Sequence, residues 1–256
     1  MLLDQHGPTV AAHVDERILT LVPTPLSPTH FPMAQPFDEA ERAAVYRAIY
    51  ERRDMRHFVP GPVDPATLQR LLDAAHHAPS VGFMQPWRIV RITDAALREQ
   101  LHAVVERERL ATADALGKRH DEFMKLKVEG LRECGEVLVV ALMDHRESHI
   151  FGRRTLPEMD LASVACAIQN MWLASRAEGL GMGWVSIFDV DDVRALLAMP
   201  AGAKPVAILC IGHVEAFYPR PMLETERWAE RKALGDCIYE NRWGEVAPTP
   251  GEPPTA

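Results

Sequence analysis

The sequence predicts an α+β domain in which helices surround a small, mostly antiparallel sheet. Four short runs, 87–92, 137–143, 184–188 and 205–214, are rich in β-branched residues and bounded by turn signals. Helical stretches fall between them without a strict strand–helix–strand alternation, which argues against a doubly wound parallel sheet. The chain has 256 residues, enough for a sizeable core, and no internal repeat or interior linker divides it. One domain over 37–244 is the economical reading. The Pro-rich flanks, 1–36 and 245–256, lack sustained periodicity and read as partly mobile tails.

Each element has its own signal. Asp38 with Glu41 makes a capping-box spacing ahead of Val45 and Ile49. Asp64-Pro65 places an N-cap before a proline at the first helical position, and Leu68, Leu71, Leu72 and Ala75 follow at helical spacing. A charged stretch from 95 to 131 carries Leu97, Leu101, Val104 and Val105, then loses its pattern around Gly117. Asp160 opens a helix ending near Gly179 that is apolar on nearly every face, including Val164, Ile168, Met171 and Trp172. Such a helix must be covered all round, by a core or by a second subunit. The modest size of the body favours the second choice, a homodimer. Asp189, Asp191 and Asp192 cap a short helix carrying Val193, Leu196 and Leu197, which is simpler than a cation site.

Composition narrows the function. A formal charge of -8 argues against a nucleic-acid partner, because phosphate contacts need a basic surface. No leader-like start and no apolar run of membrane-spanning length is present, so a soluble, cytoplasmic protein is expected. The four cysteines are widely spaced, which fits reduced, mostly buried thiols. No metal is expected: His76 and His77 point about 100° apart on a helix, and His145 with His149 lacks a third ligand.

The chemistry-bearing residues form three groups. Arg52, Arg53 and Arg56 surround Asp54 and Met55, just past the first helix. Clustered guanidiniums suit a phosphate, since each offers a planar fork of donors. Asp54 competes for those forks and repels the anion they attract. It is either a spacer that orients Arg52 or Arg56, or a group with its own task, and the residues alone favour the spacer. The second group is the loop with Ser80, Gly82, Met84 and Gln85, bounded by Pro79 and Pro86 and leading into Trp87. It offers hydroxyl, backbone and amide groups to a planar polar ligand, or it is a simple turn over a core tryptophan. The third is Gly181 and Gly183, ahead of Trp184 and Ser186; closely spaced glycines let backbone approach a flat ring.

Taken together, in this order and spacing, the three groups resemble the nitroreductase-like flavoprotein family over most of the body. That resemblance implies an α+β homodimer with FMN at the subunit interface. It implies that Arg52, Arg53 and Arg56 grip the phosphate and part of the ring, and that Ser80, Gly82, Met84 and Gln85 meet the ribityl chain and pyrimidine. Gly181 and Gly183 would run along the isoalloxazine, and Arg231, or Lys232 beside it, would complete the phosphate site. Asp54 departs from the neutral Ser or Thr usual in the family. It matches a subgroup that consumes its flavin, breaking reduced FMN with O2 to form a benzimidazole, the lower ligand of vitamin B12. In that subgroup reduced FMN is substrate, Asp54 is the implied base and Ser186 the implied hydroxyl at the ring. A separate flavin reductase would supply reduced FMN, and residues 118–130, with Phe123 and Leu126, are either a lid over the site or a plain surface helix. The competing expectations are an NAD(P)H oxidoreductase that keeps its FMN and a flavin-binding module without chemistry.

Overall fold

The structure is a computed structural model, and it describes residues 35–245, with the compact body beginning at Ala40. The expected tails lie almost wholly outside the described residues. Four strands, β1 (Trp87–Ile92), β2 (Glu136–Leu142), β3 (Gly181–Val185) and β4 (Lys204–Gly212), form one sheet in the order β1-β2-β4-β3, with every neighbouring pair antiparallel. Seven α-helices are described: α1 (Glu39–Glu51), α2 (Pro65–His76), α3 (Ala95–Ala115), α4 (His120–Met124), α5 (Met159–Ala177), α6 (Val190–Leu196) and α7 (Met222–Thr225).

The strand period divides the core into two faces. Leu138 and Val140 of β2, with Leu209 and Ile211 of β4, face α2 and α5 and bury Leu71, Ile168 and Met171 against the sheet. Val137, Val139, Ile208 and Cys210 point the other way, toward Leu101 and Val105 of α3 and Val193 of α6. A strand covered on both faces needs no polar residues, and all seven positions of β2 are buried. This is the helix-wrapped antiparallel sheet that the sequence predicts.

Local signals hold where the cause is local. Asp64 caps α2, its carboxylate accepting from the Thr67 N–H at 2.9 Å. Asp189 caps α6 by accepting from the N–H groups of Asp191 and Asp192. Gly117, at φ +53°, ends the long charged helix where its pattern fades, and α3 stops at Ala115. Two expectations need correction. The third strand starts at Gly181 rather than 184, because the glycines belong to it instead of preceding it. Of the four cysteines, all free, Cys134 and Cys210 are buried while Cys166 and Cys237 are exposed.

The helix α5 buries Val164, Ile168, Met171 and Trp172, whereas Leu161 and Cys166 face outward. Helix α1 buries no residue at all within the chain, leaving Val45, Tyr46, Ile49 and Tyr50 exposed. No helix among the described residues is long and apolar enough to cross a membrane.

Candidate functional site

The segment after α1 runs alongside β3 as a short stub of strand. Met55 N–H donates to the Met182 carbonyl at 3.0 Å, and Asp54 forms a parallel bridge with Met182. Gly181 and Gly183 allow this approach. A Cβ on Gly183 would collide with the Met55 carbonyl oxygen and fall 2.7 Å from Arg56 Nη1; one on Gly181 would crowd Met55 and Val214. On that side, therefore, the glycines make room for the chain's own backbone.

Asp54 is held at both carboxylate oxygens. Oδ1 accepts from the Trp184 backbone N–H at 2.9 Å, and Oδ2 accepts from Arg56 Nη2 at 2.7 Å. The same Arg56 nitrogen donates to the Trp184 carbonyl at 2.7 Å. Arg56 is buried, while the Asp54 side chain keeps 44% of its surface open. Burial against protein lifts the Asp54 carboxyl above the usual carboxylate range, opposed by Arg56, the Trp184 N–H and Arg52. Since so much of this side chain faces the open cleft, the direction of that shift carries the argument and water moderates its size.

The other two guanidiniums turn to the cleft side. Arg53 is braced by the carbonyls of Tyr50, Arg52 and Pro219 at 2.8–3.0 Å. Arg52 lies over the Trp172 ring, 4.5 Å from its centroid, and the Trp172 indole N–H donates to the Arg53 carbonyl at 3.2 Å. Burial lowers the Arg52 pKa, with Asp54 opposing and Arg53 and Arg231 adding to the effect. The Nε atoms of Arg52 and Arg53, like Arg56 Nη1, are buried without a hydrogen-bond partner. Buried donors of this kind call for an acceptor. A cavity of about 820 Å³ opens beside them, lined by Arg52, Arg53, Asp54, Arg231 and the stretch from Pro219 to Leu223. That volume and that donor set suit a small anionic ligand such as a flavin phosphate.

The remaining predicted residues fall elsewhere. Ser186 is exposed, one residue beyond the end of β3 and two beyond the Trp184 peptide that holds Asp54. Lys232 is exposed and does not line the cavity. The Ser80–Gln85 loop is tightly built: Gly82, Phe83 and Gln85 all have positive φ, and Ser80 Oγ accepts from the Gln85 N–H at 3.0 Å. Its anchor, however, is Ser163, whose Oγ accepts from the Val81 N–H. Ser163 and Trp172 are nine residues apart on α5, so the loop and the arginines sit about 13 Å apart along that helix axis. No residue of the loop lines the cavity that holds Arg52 and Arg53.

Two supports escaped the sequence reading. Trp172 packs in the core as expected, and it also lies under Arg52 and donates to the Arg53 carbonyl. The signal available was that a buried indole N–H needs a partner. Tyr218 accepts from the N–H groups of Arg56 and His57 at 3.2 Å each and contacts His57 Nδ1 at 2.6 Å. Nothing local announces a contact spanning 162 residues. The 118–130 segment contains α4 and packs Phe123 and Leu126 with Ala113 in a small apolar cluster. Arg119 covers the Trp228 ring at 3.5 Å.

The chain belongs to the nitroreductase family, whose model matches residues 49–213, the stretch that carries the sheet, α5 and the Asp54 segment. It is 43% identical over 199 residues to the 5,6-dimethylbenzimidazole synthase of Rhodospirillum rubrum, covering 77% of this chain and 94% of that one. A protein of the same name from Rhodobacter capsulatus is 37% identical, over 76% of this chain and 95% of that one. Among solved structures, oxidised iodotyrosine deiodinase bound to FMN and 3-iodo-L-tyrosine superposes with a TM-score of 0.59 at 22% identity, covering 77% of this chain and 98% of that one. Nitroreductase A of Vibrio parahaemolyticus gives 0.60 at 20% identity, covering 80% and 78%. These last two likenesses establish the fold.

Proposed function

We propose that this protein fragments reduced FMN with O2 to 5,6-dimethylbenzimidazole, the lower ligand of vitamin B12. The observation that carries the reading is the similarity to synthases of that name over 94–95% of their length and about three quarters of this chain. The geometry of the arginine segment agrees with it. Arg52, Arg53 and Arg231 would hold the flavin phosphate from the cavity wall they share. Reduced flavin supplies the electrons that activate O2 and the ring that becomes the product.

Asp54 has the features of a general base. Both oxygens are fixed by one bond each, which leaves further lone pairs to accept a proton from the ribityl carbon next to the ring. Burial raises its affinity for that proton, and Arg56 keeps the carboxylate form accessible. Ser186 would present its hydroxyl to the ring. Residues 118–130 are suited to a lid: Lys125 and Leu126 share a second cavity with Pro219 and Met222, which also line the first.

A homodimer would complete the site. Because the Ser80–Gln85 loop lies at the far end of α5 from the arginines, its contribution to the flavin would come from a second copy. The C-terminal arm fits the same arrangement, since Leu234, Ile238, Tyr239 and Trp243 are all exposed. A separate flavin reductase would deliver the reduced substrate. The test is to mix the protein with chemically reduced FMN in air and separate the products. The expected result is benzimidazole formed as flavin disappears. Intact oxidised FMN as the only flavin product overturns the proposal, and steady NAD(P)H use with a nitroaromatic and no flavin loss points to the oxidoreductase instead.

A further inference from the structure

The three arginines of the cluster do not share one environment. All three carry a buried donor without a partner, but Arg52 and Arg53 line the cavity, whereas Arg56 is absent from its wall and its side chain is only 9% exposed. One Arg56 nitrogen, Nη2, is divided between Asp54 Oδ2 and the Trp184 carbonyl, both at 2.7 Å. The Trp184 N–H returns to Asp54 Oδ1, which closes a ring of three bonds around the carboxylate. The other nitrogen, Nη1, lies against Gly183, where a Cβ would reach within 2.7 Å of it. The root of the residue is fixed as well, by the Tyr218 hydroxyl on the Arg56 N–H.

We infer that Arg56 is a positioning residue, which orients the Asp54 carboxylate toward the cavity and acts on the flavin only through it. The inference rests on the reading of Asp54 as the base, and it separates Arg56 from the phosphate-binding role of its neighbours. A guanidinium fork suits the task because it spans a carboxylate and a carbonyl at once, which a lysine ammonium on a flexible stem does poorly. A carboxylate with both oxygens engaged cannot swing toward Arg52 or Arg53 and neutralise the phosphate grip. The cluster therefore sorts its charges: Arg56 occupies the acid so that Arg52 and Arg53 stay available to the anion.

Charged groups around Asp54 are few. Arg56 and Arg52 act on it directly, Arg53 and Arg231 stand on the same cavity wall, and Arg56 also acts on the Cys210 thiol of β4. Replacing Arg56 thus removes the principal charge that favours the ionised acid.

The experiment compares Arg56→Met and Arg56→Lys with the wild type, measuring FMN affinity and the single-turnover rate of benzimidazole formation against pH. In Arg56→Met, FMN affinity should stay within about threefold while the rate falls by roughly tenfold or more, the scale of a misplaced catalytic group. Its acid limb should move to higher pH, because the largest opposition to burial is gone and only the Trp184 N–H and Arg52 remain. Arg56→Lys keeps the charge without the fork, so its limb should stay near that of the wild type while the rate remains low. Weakening of FMN binding by about tenfold or more, with an unchanged rate in the bound enzyme, overturns the inference and makes Arg56 a phosphate ligand. Should Arg56→Met fail to fold, Arg56→Lys decides alone: a reduced rate with normal affinity supports the role, and a normal rate with weak affinity overturns it. If the wild type itself makes no benzimidazole, the proposed function has failed. The positioning role is then judged by carbon NMR titration of Asp54, assigned with Asp54→Asn; a higher titration point in Arg56→Met supports it and an unmoved one overturns it.

Discussion

Replacing Gly183 with alanine tests whether the Asp54 segment is seated on β3 as described. The added methyl would occupy the space of the Met55 carbonyl oxygen, which is backbone and cannot swing aside, and would press on Arg56 Nη1. The stub strand must therefore lift from β3, breaking the Met55–Met182 bond and the Trp184–Asp54 bond. Overpacking costs about 1–3 kcal/mol and each lost hydrogen bond about 1 kcal/mol. The total is roughly 3–5 kcal/mol, or a fall in Tm on the order of 10 °C for a body of this size. Thermal unfolding followed by circular dichroism measures the fall, and flavin fluorescence quenching measures the accompanying loss of FMN affinity. Gly235→Ala is the control, since a Cβ there meets nothing within 4 Å and its φ is ordinary. A Gly183→Ala protein that melts within about one degree of the wild type and binds FMN normally would refute the packing argument.

Other expectations follow from single contacts. Asp54→Asn should still bind FMN yet form no benzimidazole; product at the normal rate, read by chromatography, would reduce Asp54 to a spacer. Trp172→Phe keeps a ring under Arg52 but loses the indole bond to the Arg53 carbonyl. FMN affinity should then drop about fivefold, the worth of one hydrogen bond near 1 kcal/mol, in a fluorescence titration. Asp160 is a buried carboxylate between Arg146 at 2.9 Å and Arg153 at 3.2 Å. Asp160→Ala strands both cations and should cost about 3–5 kcal/mol in a denaturant unfolding curve. For Asp64, the cap on the Thr67 N–H holds the carboxyl below its ordinary value. Its stabilisation is thus present above that ordinary value and lost as pH falls through the lowered one. The gap in Tm between wild type and Asp64→Ala should close as the solution is acidified.

The parts legible in the sequence are those with short-range causes. Asp64-Pro65 announces α2 because an N-cap acts on residues three positions away. Strand β1 was expected at 87–92 and forms there, since its β-branched run is bounded on both sides. The start of β3 at Gly181 was not legible, because local rules treat two glycines as strand breakers and the close approach of Met55 comes from more than a hundred residues earlier. The candidate site divides in the same way. Arg52, Arg53 and Asp54 were legible as a charge cluster, but the inward turn of Arg56 depends on Trp184, a partner set by the fold. The distance between the Ser80–Gln85 loop and the arginines was equally hidden, because sequence order says nothing about opposite ends of a buried helix.

The seat of Asp54 has a bearing on solubility. Among the strands described, β3 pairs with β4 alone, so its other side is a sheet edge with backbone donors and acceptors ready for a foreign strand. The Asp54 segment covers that edge through the Met182 carbonyl and the Trp184 N–H. Residues assigned to chemistry thus also shield the molecule from strand-to-strand association. A change that loosens them would be expected to show first as self-association on storage, and a bound flavin that holds the arginines in place would suppress it.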